Sequence, residues 1–359
     1  MLRQARDVGG FTVFRPLDPL GLNRVIEPRG VGLLPQQAER IDPSLPIAED
    51  ELLIEVESLN IDSASFHQIS ESCGGDATRM ESAIRGLVMK RGKHHNPVTG
   101  SGGMLIGRVS QVGPHFPVDK KPVQVGDRIA TLVSLSLTPL EIRKIKTIHL
   151  KIDRVDIEGH AIVFASGLFA RLPQDLPDPV SLAVLDVAGA PAQTAKLVRP
   201  GDTVLVIGGG GKSGVLCLYE AKKKPGVTTL ALDYSDAAIE RLRGFSFVDQ
   251  VIQADARRPV EVMSKVRELT GGKMADVVIN VANLPETEMS CILSARNQGL
   301  VYFFSMATSF TRAALGAEGV GADLDLRIGN GYTEGHADHA LQILRESPEL
   351  KELFSKTYC

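Results

Sequence analysis

Thr203-Val-Leu-Val-Ile-Gly208-Gly-Gly-Gly-Lys212-Ser213-Gly214 is a strand-forming run that breaks into glycine and then enters a helix. A second apolar run, Thr228-Thr-Leu-Ala-Leu232, follows and ends at Asp233. Strand, glycine turn, helix, strand and terminal acid form the layout of a dinucleotide site. In this reading Gly209 makes the tight turn, Gly211 lets the backbone approach a pyrophosphate, and Gly214 lets the helix pack on the strand. Gly208, Gly211 and Gly214 define a second register on the same helix, and Gly210 and Ser213 complete the loop. The helix N-terminus offers unpaired N–H groups and a partial positive charge to phosphates. Lys212 either reaches a phosphate or is solvated in the first helical turn. Asp233 accepts hydrogen bonds from ribose hydroxyls and repels a 2′-phosphate, which favours NAD over NADP, although Tyr234-Ser235 leaves room beyond it. The run Gly211-Lys212-Ser213 imitates the end of a P-loop, but Val206 stands where that motif needs its first glycine. A triphosphatase is set aside on that ground.

The 359 residues suffice for two domains, and 43% hydrophobic content suits packed cores. A net charge of −3 argues against nucleic-acid partners. No apolar stretch reaches membrane-spanning length, and the N-terminus lacks a signal core. The four cysteines, at 73, 217, 291 and 359, are far apart and form no C-x-x-C, so reduced thiols and a cytoplasmic location are expected.

Residues 1–178 read as a mostly β domain. Prolines crowd the start, and the apolar runs at 51–57, 103–112 and 129–133 are punctuated by Gly113-Pro114 and Val125-Gly-Asp-Arg128. Residues 179–331 alternate strands with helices, which implies a parallel sheet with crossover helices. After the glycine run come strands at 248–252, 275–281, 299–305 and 324–328, with helices near 259–269 and 286–296. Residues 332–359 have no strand to pair with and are expected to return to the first domain.

This order resembles the medium-chain dehydrogenase/reductase superfamily. The resemblance is carried by Val109-Ser-Gln-Val-Gly113, Val125-Gly-Asp-Arg-Ile129, Arg199-Pro-Gly-Asp-Thr-Val-Leu-Val206 and Ala275-Asp-Val-Val-Ile-Asn-Val281. It implies a GroES-like catalytic domain at 1–178, a Rossmann domain at 179–331, an α/β fold class and a homodimer. Ligands then lie at the carboxyl ends of the parallel strands. Val281 and Ala282 after one strand, and Ser305 and Met306 after the next, are expected to line the cofactor.

The zinc enzymes of that superfamily hold their metal with cysteine, histidine and cysteine. In Asn60-Ile-Asp-Ser-Ala-Ser-Phe-His67, Asp62 stands at the first of these places; Ser101 stands at the histidine place, and Asp186 near the third. Oxygen ligands without histidine or thiolate make a poor zinc site, so no zinc is expected. Ser63 and His67, beside Asp62, are expected with Ser101 and Asp186 to contact substrate; the plainer reading of His67 is a surface residue at a helix start.

Gly92-Lys-His-His-Asn-Pro-Val-Thr-Gly-Ser-Gly-Gly-Met-Leu-Ile-Gly107 resembles the L-erythro-3,5-diaminohexanoate dehydrogenases of lysine fermentation. Such enzymes deaminate the 3-position of a diamino acid, giving 5-amino-3-oxohexanoate, ammonia and reduced nicotinamide. The chemistry needs a base, because an ammonium cannot push electrons toward a departing hydride. Asp62, and Lys93 and His95 just before the Pro97–Gly103 turn, are the candidates for binding and proton transfer. A lysine desolvated near another cation titrates close to neutrality, and histidine does so unperturbed. The plainer reading of Arg91-Gly-Lys-His-His95 is a solvated loop. Two alternatives stay open: a zinc-free quinone or enoyl reductase on the same fold, and a protein that binds NAD(H) without catalysis.

Overall fold

The computed structural model describes residues 6–7, 10–11, 15–30, 32–100, 102–150, 152–329 and 331–359, and it divides into two compact units, Met1–Pro173 and Gln174–Cys359. In the first unit two short hairpins, β1 (Arg6–Asp7) with β2 (Gly10–Phe11) and β3 (Val25–Glu27) with β4 (Arg40–Ile41), precede the main sheet. That sheet is six-stranded, in the order β10 (Phe169–Arg171), β7 (Arg128–Thr131), β6 (Met104–Val112), β5 (Leu52–Asn60), β9 (Arg154–Val163), β8 (Leu140–His149). All its pairings are antiparallel. Leu52, Ile54 and Val56 alternate along β5 and are buried, as the period of a strand dictates.

Two helices follow β5. α1 (Ser63–Ser72) is capped by Asp62, whose carboxylate accepts the Ala64 N–H; α2 (Ala77–Arg91) is capped in the same way by Asp76. Met80, Ile84 and Val88 recur every fourth residue on α2 and join the core with Leu105, Val109, Val155 and Ile157. Truncating Ile84 to alanine would cost about 2–5 kcal/mol, because the packed surroundings close only partly over the void.

The second unit is built on a six-stranded parallel sheet, in the order β13 (Gln250–Gln253), β12 (Thr228–Asp233), β11 (Thr203–Ile207), β14 (Ala275–Asn280), β15 (Ala295–Phe303), β16 (Asp325–Ile328). This is the doubly wound order, with the chain reversing direction across the sheet between β11 and β14. Val204 to Ile207 are fully buried, which explains a continuous apolar run rather than an alternating one: both faces of a parallel sheet are covered. The crossover helices are α5 (Lys212–Lys222), α6 (Asp236–Arg243), α7 (Pro259–Leu269), α8 (Glu288–Ser294) and α9 (Phe310–Gly319). The fold class is as expected.

The chain's last segment is a correction. α10 (His336–Glu346) and α11 (Pro348–Tyr358) do not return to the first unit; they pack on α3 (Asp178–Leu185), and α10 also packs on α4 (Gly189–Leu197) and α5. The reason lies in α3, where Val180 to Leu185 are all buried. A helix apolar all round must be enclosed, and Leu341, Leu344, Leu350 and Phe354 supply apolar cover from the two C-terminal helices. The division between units accordingly falls at 173/174 rather than 178/179.

Candidate functional site

The glycine run joins β11 to α5 at the carboxyl end of the parallel sheet. Gly208, not Gly209, takes the left-handed conformation, with φ of 84°. A Cβ there would also sit 2.8 Å from the Ala282 nitrogen. The tight-turn role therefore moves by one residue, and the operative register is Gly208, Gly211, Gly214. At Gly214 a Cβ would come within 2.3 Å of the Gly208 carbonyl oxygen, so the helix packs on the turn as expected. At Gly211 a Cβ would meet only the Gly208 oxygen at 3.5 Å, which leaves that face open to a ligand. No side chain caps α5, so its N-terminus is available to an anion.

Gly208, Gly211, Lys212, Ser213, Gly214, Asp233, Val281 and Ala282 line one groove of about 530 Å³. Asp233 holds the loop: its Oδ2 accepts the Gly210 N–H at 3.0 Å and its Oδ1 the Tyr234 N–H at 2.8 Å. Gly209 and Gly210 are outside this lining; a Cβ at Gly210 would sit 2.6 Å from the Ala238 Cβ. Ser305 and Met306 follow the carboxyl end of β15, outside this lining, with Met306 almost fully exposed. The groove also contains Asp255 and Arg257, which the sequence reading missed. They follow β13, and Ala254 N–H donates to the Asp233 carbonyl at 3.1 Å, so they belong beside Asp233. The rule that ligands lie at strand carboxyl ends, applied to this third strand, would have found them.

Asp186 and Lys212 are brought together. Lys212 Nζ donates to Asp186 Oδ2, joining the end of α3 to the first turn of α5. Asp186, expected to contact substrate, has its charge taken up by Lys212.

In the first unit Asp62 is exposed at the start of α1. Ser63 Oγ donates to Asp153 Oδ2 at 2.6 Å. His67 is exposed, with Nε2 3.1 Å from Glu71 one turn on. Ser101 lies outside the described residues. The segment after α2 is bound tightly to its neighbours. Ser65 and Thr99 hydroxyls are 2.5 Å apart, Asn96 Nδ2 donates to Gln68 Oε1 at 2.9 Å, and Gly103 runs so close to Asn60 that a Cβ would sit 2.1 Å from its carbonyl oxygen.

Lys93 is neither a solvated loop residue nor a group offered to a substrate. It is fully buried, and its Nζ donates to the carbonyls of Pro35 at 2.7 Å and Gln36 at 3.2 Å. Burial, aided by the Arg91 charge, pushes its pKa down to about 8. The catalytic expectation for Lys93 is corrected: its ammonium ties one loop to another. His94 is also buried, with Nδ1 3.2 Å from the Gly102 carbonyl, and burial pushes its pKa down to about 4. A carbonyl only accepts, so Nδ1 carries the proton. His95 is half-buried, and its Nδ1 lies 3.4 Å from Arg91 Nη1. Burial, then the charges of Lys93 and Arg91, hold its pKa below the ordinary value. Among the described residues no three His, Cys, Asp or Glu side chains gather as a metal site.

Residues 23–173 match the family of the L-erythro-3,5-diaminohexanoate dehydrogenase N-terminal domain. The chain is 54% identical over 340 residues to the L-erythro-3,5-diaminohexanoate dehydrogenase of Acetoanaerobium sticklandii, covering 94% of this chain and 98% of that one. It is 51% identical, with the same coverage, to the enzyme of that name from Fusobacterium nucleatum subsp. nucleatum. Among solved structures it resembles the zinc-dependent alcohol dehydrogenase 2 of Streptococcus pneumonia in its apo form, at a TM-score of 0.52 and 16% identity over 88% of this chain and 90% of that one. The last likeness shows a shared fold.

Proposed function

The chain belongs to the L-erythro-3,5-diaminohexanoate dehydrogenase family, and we propose that it catalyses the NAD-dependent oxidative deamination of L-erythro-3,5-diaminohexanoate to 5-amino-3-oxohexanoate and ammonia. One observation carries this reading: identity above half over nearly the whole of two dehydrogenases of that name, in a chain whose glycine turn is open for a pyrophosphate. The balance is simple. The 3-ammonium gives up a proton, the C3 hydrogen leaves with its electron pair, and a C=N bond forms. Water adds to that carbon, and ammonia departs to leave the ketone.

A nicotinamide dinucleotide bound in the groove supplies the hydride acceptor. Gly208, Gly211 and Gly214 would lie against its pyrophosphate, and the Asp233 carboxylate would meet the adenosine ribose. Asp233 supports NAD over NADP, because a carboxylate repels a 2′-phosphate. Asp62 is the group we assign to a substrate ammonium, through a charge-assisted hydrogen bond. Its second duty, as cap of α1, holds it at a defined position. His95 is assigned to proton transfer as a half-buried imidazole whose pKa burial and the neighbouring Lys93 and Arg91 charges hold below the ordinary value.

No metal is needed for this chemistry, since the amine is activated by proton loss rather than by a Lewis acid. In sequence, the three zinc-ligand places carry Asp62, Ser101 and Asp186, and oxygen ligands without histidine or thiolate suit zinc poorly. A homodimer is proposed through β16, which pairs with β15 on one side and ends the sheet on the other. Buried free Cys73, Cys217 and Cys291 suit a reducing cytoplasm.

The test is to incubate the protein with NAD and a panel of β-amino acids that includes the diamine. Reduced nicotinamide and ammonia should appear in equal amounts with the diamine. NADPH-dependent reduction of a quinone or enoyl compound, with no turnover of the diamine, would overturn the reading.

A further inference from the structure

Asp233, Asp255 and Arg257 line one end of the groove, and Arg241 reaches the glycine loop beside them. Arg257 Nε donates to Asp255 Oδ1 at 3.0 Å and Nη2 donates to Oδ2 at 2.8 Å, a bidentate pair. The Arg257 backbone N–H also donates to Asp255 Oδ1, at 2.9 Å, so the carboxylate fixes the turn as well as the side chain. Arg241, from α6, is committed elsewhere: its Nη1 donates to the Gly210 carbonyl at 3.1 Å. Asp233 accepts the Gly210 and Tyr234 N–H groups and presents its charge to the same space. The Arg257 hydrogen bonds push the Asp255 pKa down to about 2, so this acid is charged across the neutral range.

A guanidinium beside the ribose end of a dinucleotide groove is what a 2′-phosphate needs. This chain has one, yet its Nε and Nη2 edge and its charge are engaged by Asp255. We infer that Asp255 is a second determinant of NAD over NADP: it withholds the Arg257 guanidinium from a 2′-phosphate, while Asp233 repels that phosphate directly. The inference rests on the reading of the groove as a NAD site and adds a specificity residue to it. The two acids act on different objects, one on the ligand and one on the cation that would receive it. Their removal is therefore more than additive for NADPH.

The experiment measures NADH and NADPH dissociation constants by nucleotide fluorescence, at one fixed ionic strength, in the full chain. The variants are Asp233→Ser, Asp255→Asn and both together. Asparagine keeps an oxygen for the Arg257 N–H, so the turn persists while the charge is lost. Each single change should raise NADPH affinity only a few fold. The double variant should exceed the product of the singles by about tenfold, the worth of one charge-assisted hydrogen bond. Adding Arg257→Met to the double variant should abolish that excess. Asp255→Glu in the Asp233→Ser background, which keeps a carboxylate on Arg257, should behave as Asp233→Ser alone. A double variant no better than the product of the singles, or an excess that survives Arg257→Met, overturns the inference. Failure of the unchanged protein to bind NADH would overturn the groove reading itself.

Discussion

Lys212, in the first turn of α5, is ion-paired to Asp186, the residue that ends α3. The pair sets a carboxylate beside the helix N-terminus proposed to receive the pyrophosphate. A dinucleotide that arrives there competes with Asp186 for the lysine.

Asp186→Asn should therefore tighten NADH binding, by about two- to fivefold at low salt, the range expected of a half-exposed pair. The gain should shrink as salt rises, because exposed charges are screened. Fluorescence titrations at two ionic strengths check both points. Weaker binding in the variant would mean that Asp186 orients Lys212 instead of restraining it.

Gly211 and Gly214 should separate cleanly. A Cβ at Gly214 would lie 2.3 Å from the Gly208 oxygen and 2.6 Å from the Gly209 carbon, so backbone must move. Gly214→Ala should lose about 1–3 kcal/mol of stability as well as NADH affinity. Gly211→Ala meets nothing closer than 3.5 Å. It should hold its melting temperature and lose affinity alone, since the added methyl occupies space that a phosphate needs. Thermal unfolding and NADH titration of both variants decide.

Lys93 should register in the pH dependence of stability. Its pKa in the folded protein is about 8, below the ordinary lysine value of 10.5. Between those values the unfolded chain holds a proton that the folded chain has released, so stability rises with pH. Relative to Lys93→Met, the unchanged protein should gain stability through this window, with a slope up to about 1.4 kcal/mol per pH unit. Below pH 8 the two curves should run parallel. Denaturant titrations from pH 7 to about pH 10.5 test this.

Asp62→Asn keeps the helix cap, since asparagine caps as well as aspartate. It removes the charge proposed to hold an ammonium. Stability should stay within about 0.5 kcal/mol, NADH binding should be unaltered, and kcat/KM for the diamine should fall by at least about tenfold, the loss of one charged hydrogen bond. Turnover equal to that of the unchanged protein would remove Asp62 from the site.

The Rossmann unit was legible in the sequence because its signals are local. An apolar run that fills a doubly covered strand, glycines that only a tight turn requires, and an acid at the end of the next strand are each decided by near neighbours along the chain. The open face of Gly211 and the close packing of Gly214 follow from that motif, and only the turn residue slipped, from Gly209 to Gly208.

What the tertiary structure decided were the fates of charges. Lys93 became a buried tie because two carbonyls, at Pro35 and Gln36, come to it from 58 and 57 residues away. Asp186 met Lys212 because α3 ends where α5 begins, across 26 residues of chain. Asp255 and Arg257 entered the groove because β13 lies next to β12 in the sheet, a strand order that no local pattern encodes. The C-terminal helices settled on α3 because its apolar surface needed cover. Propensity is a property of a short segment; desolvation and pairing are properties of whatever the folded chain brings alongside, and they exist only once distant segments have met.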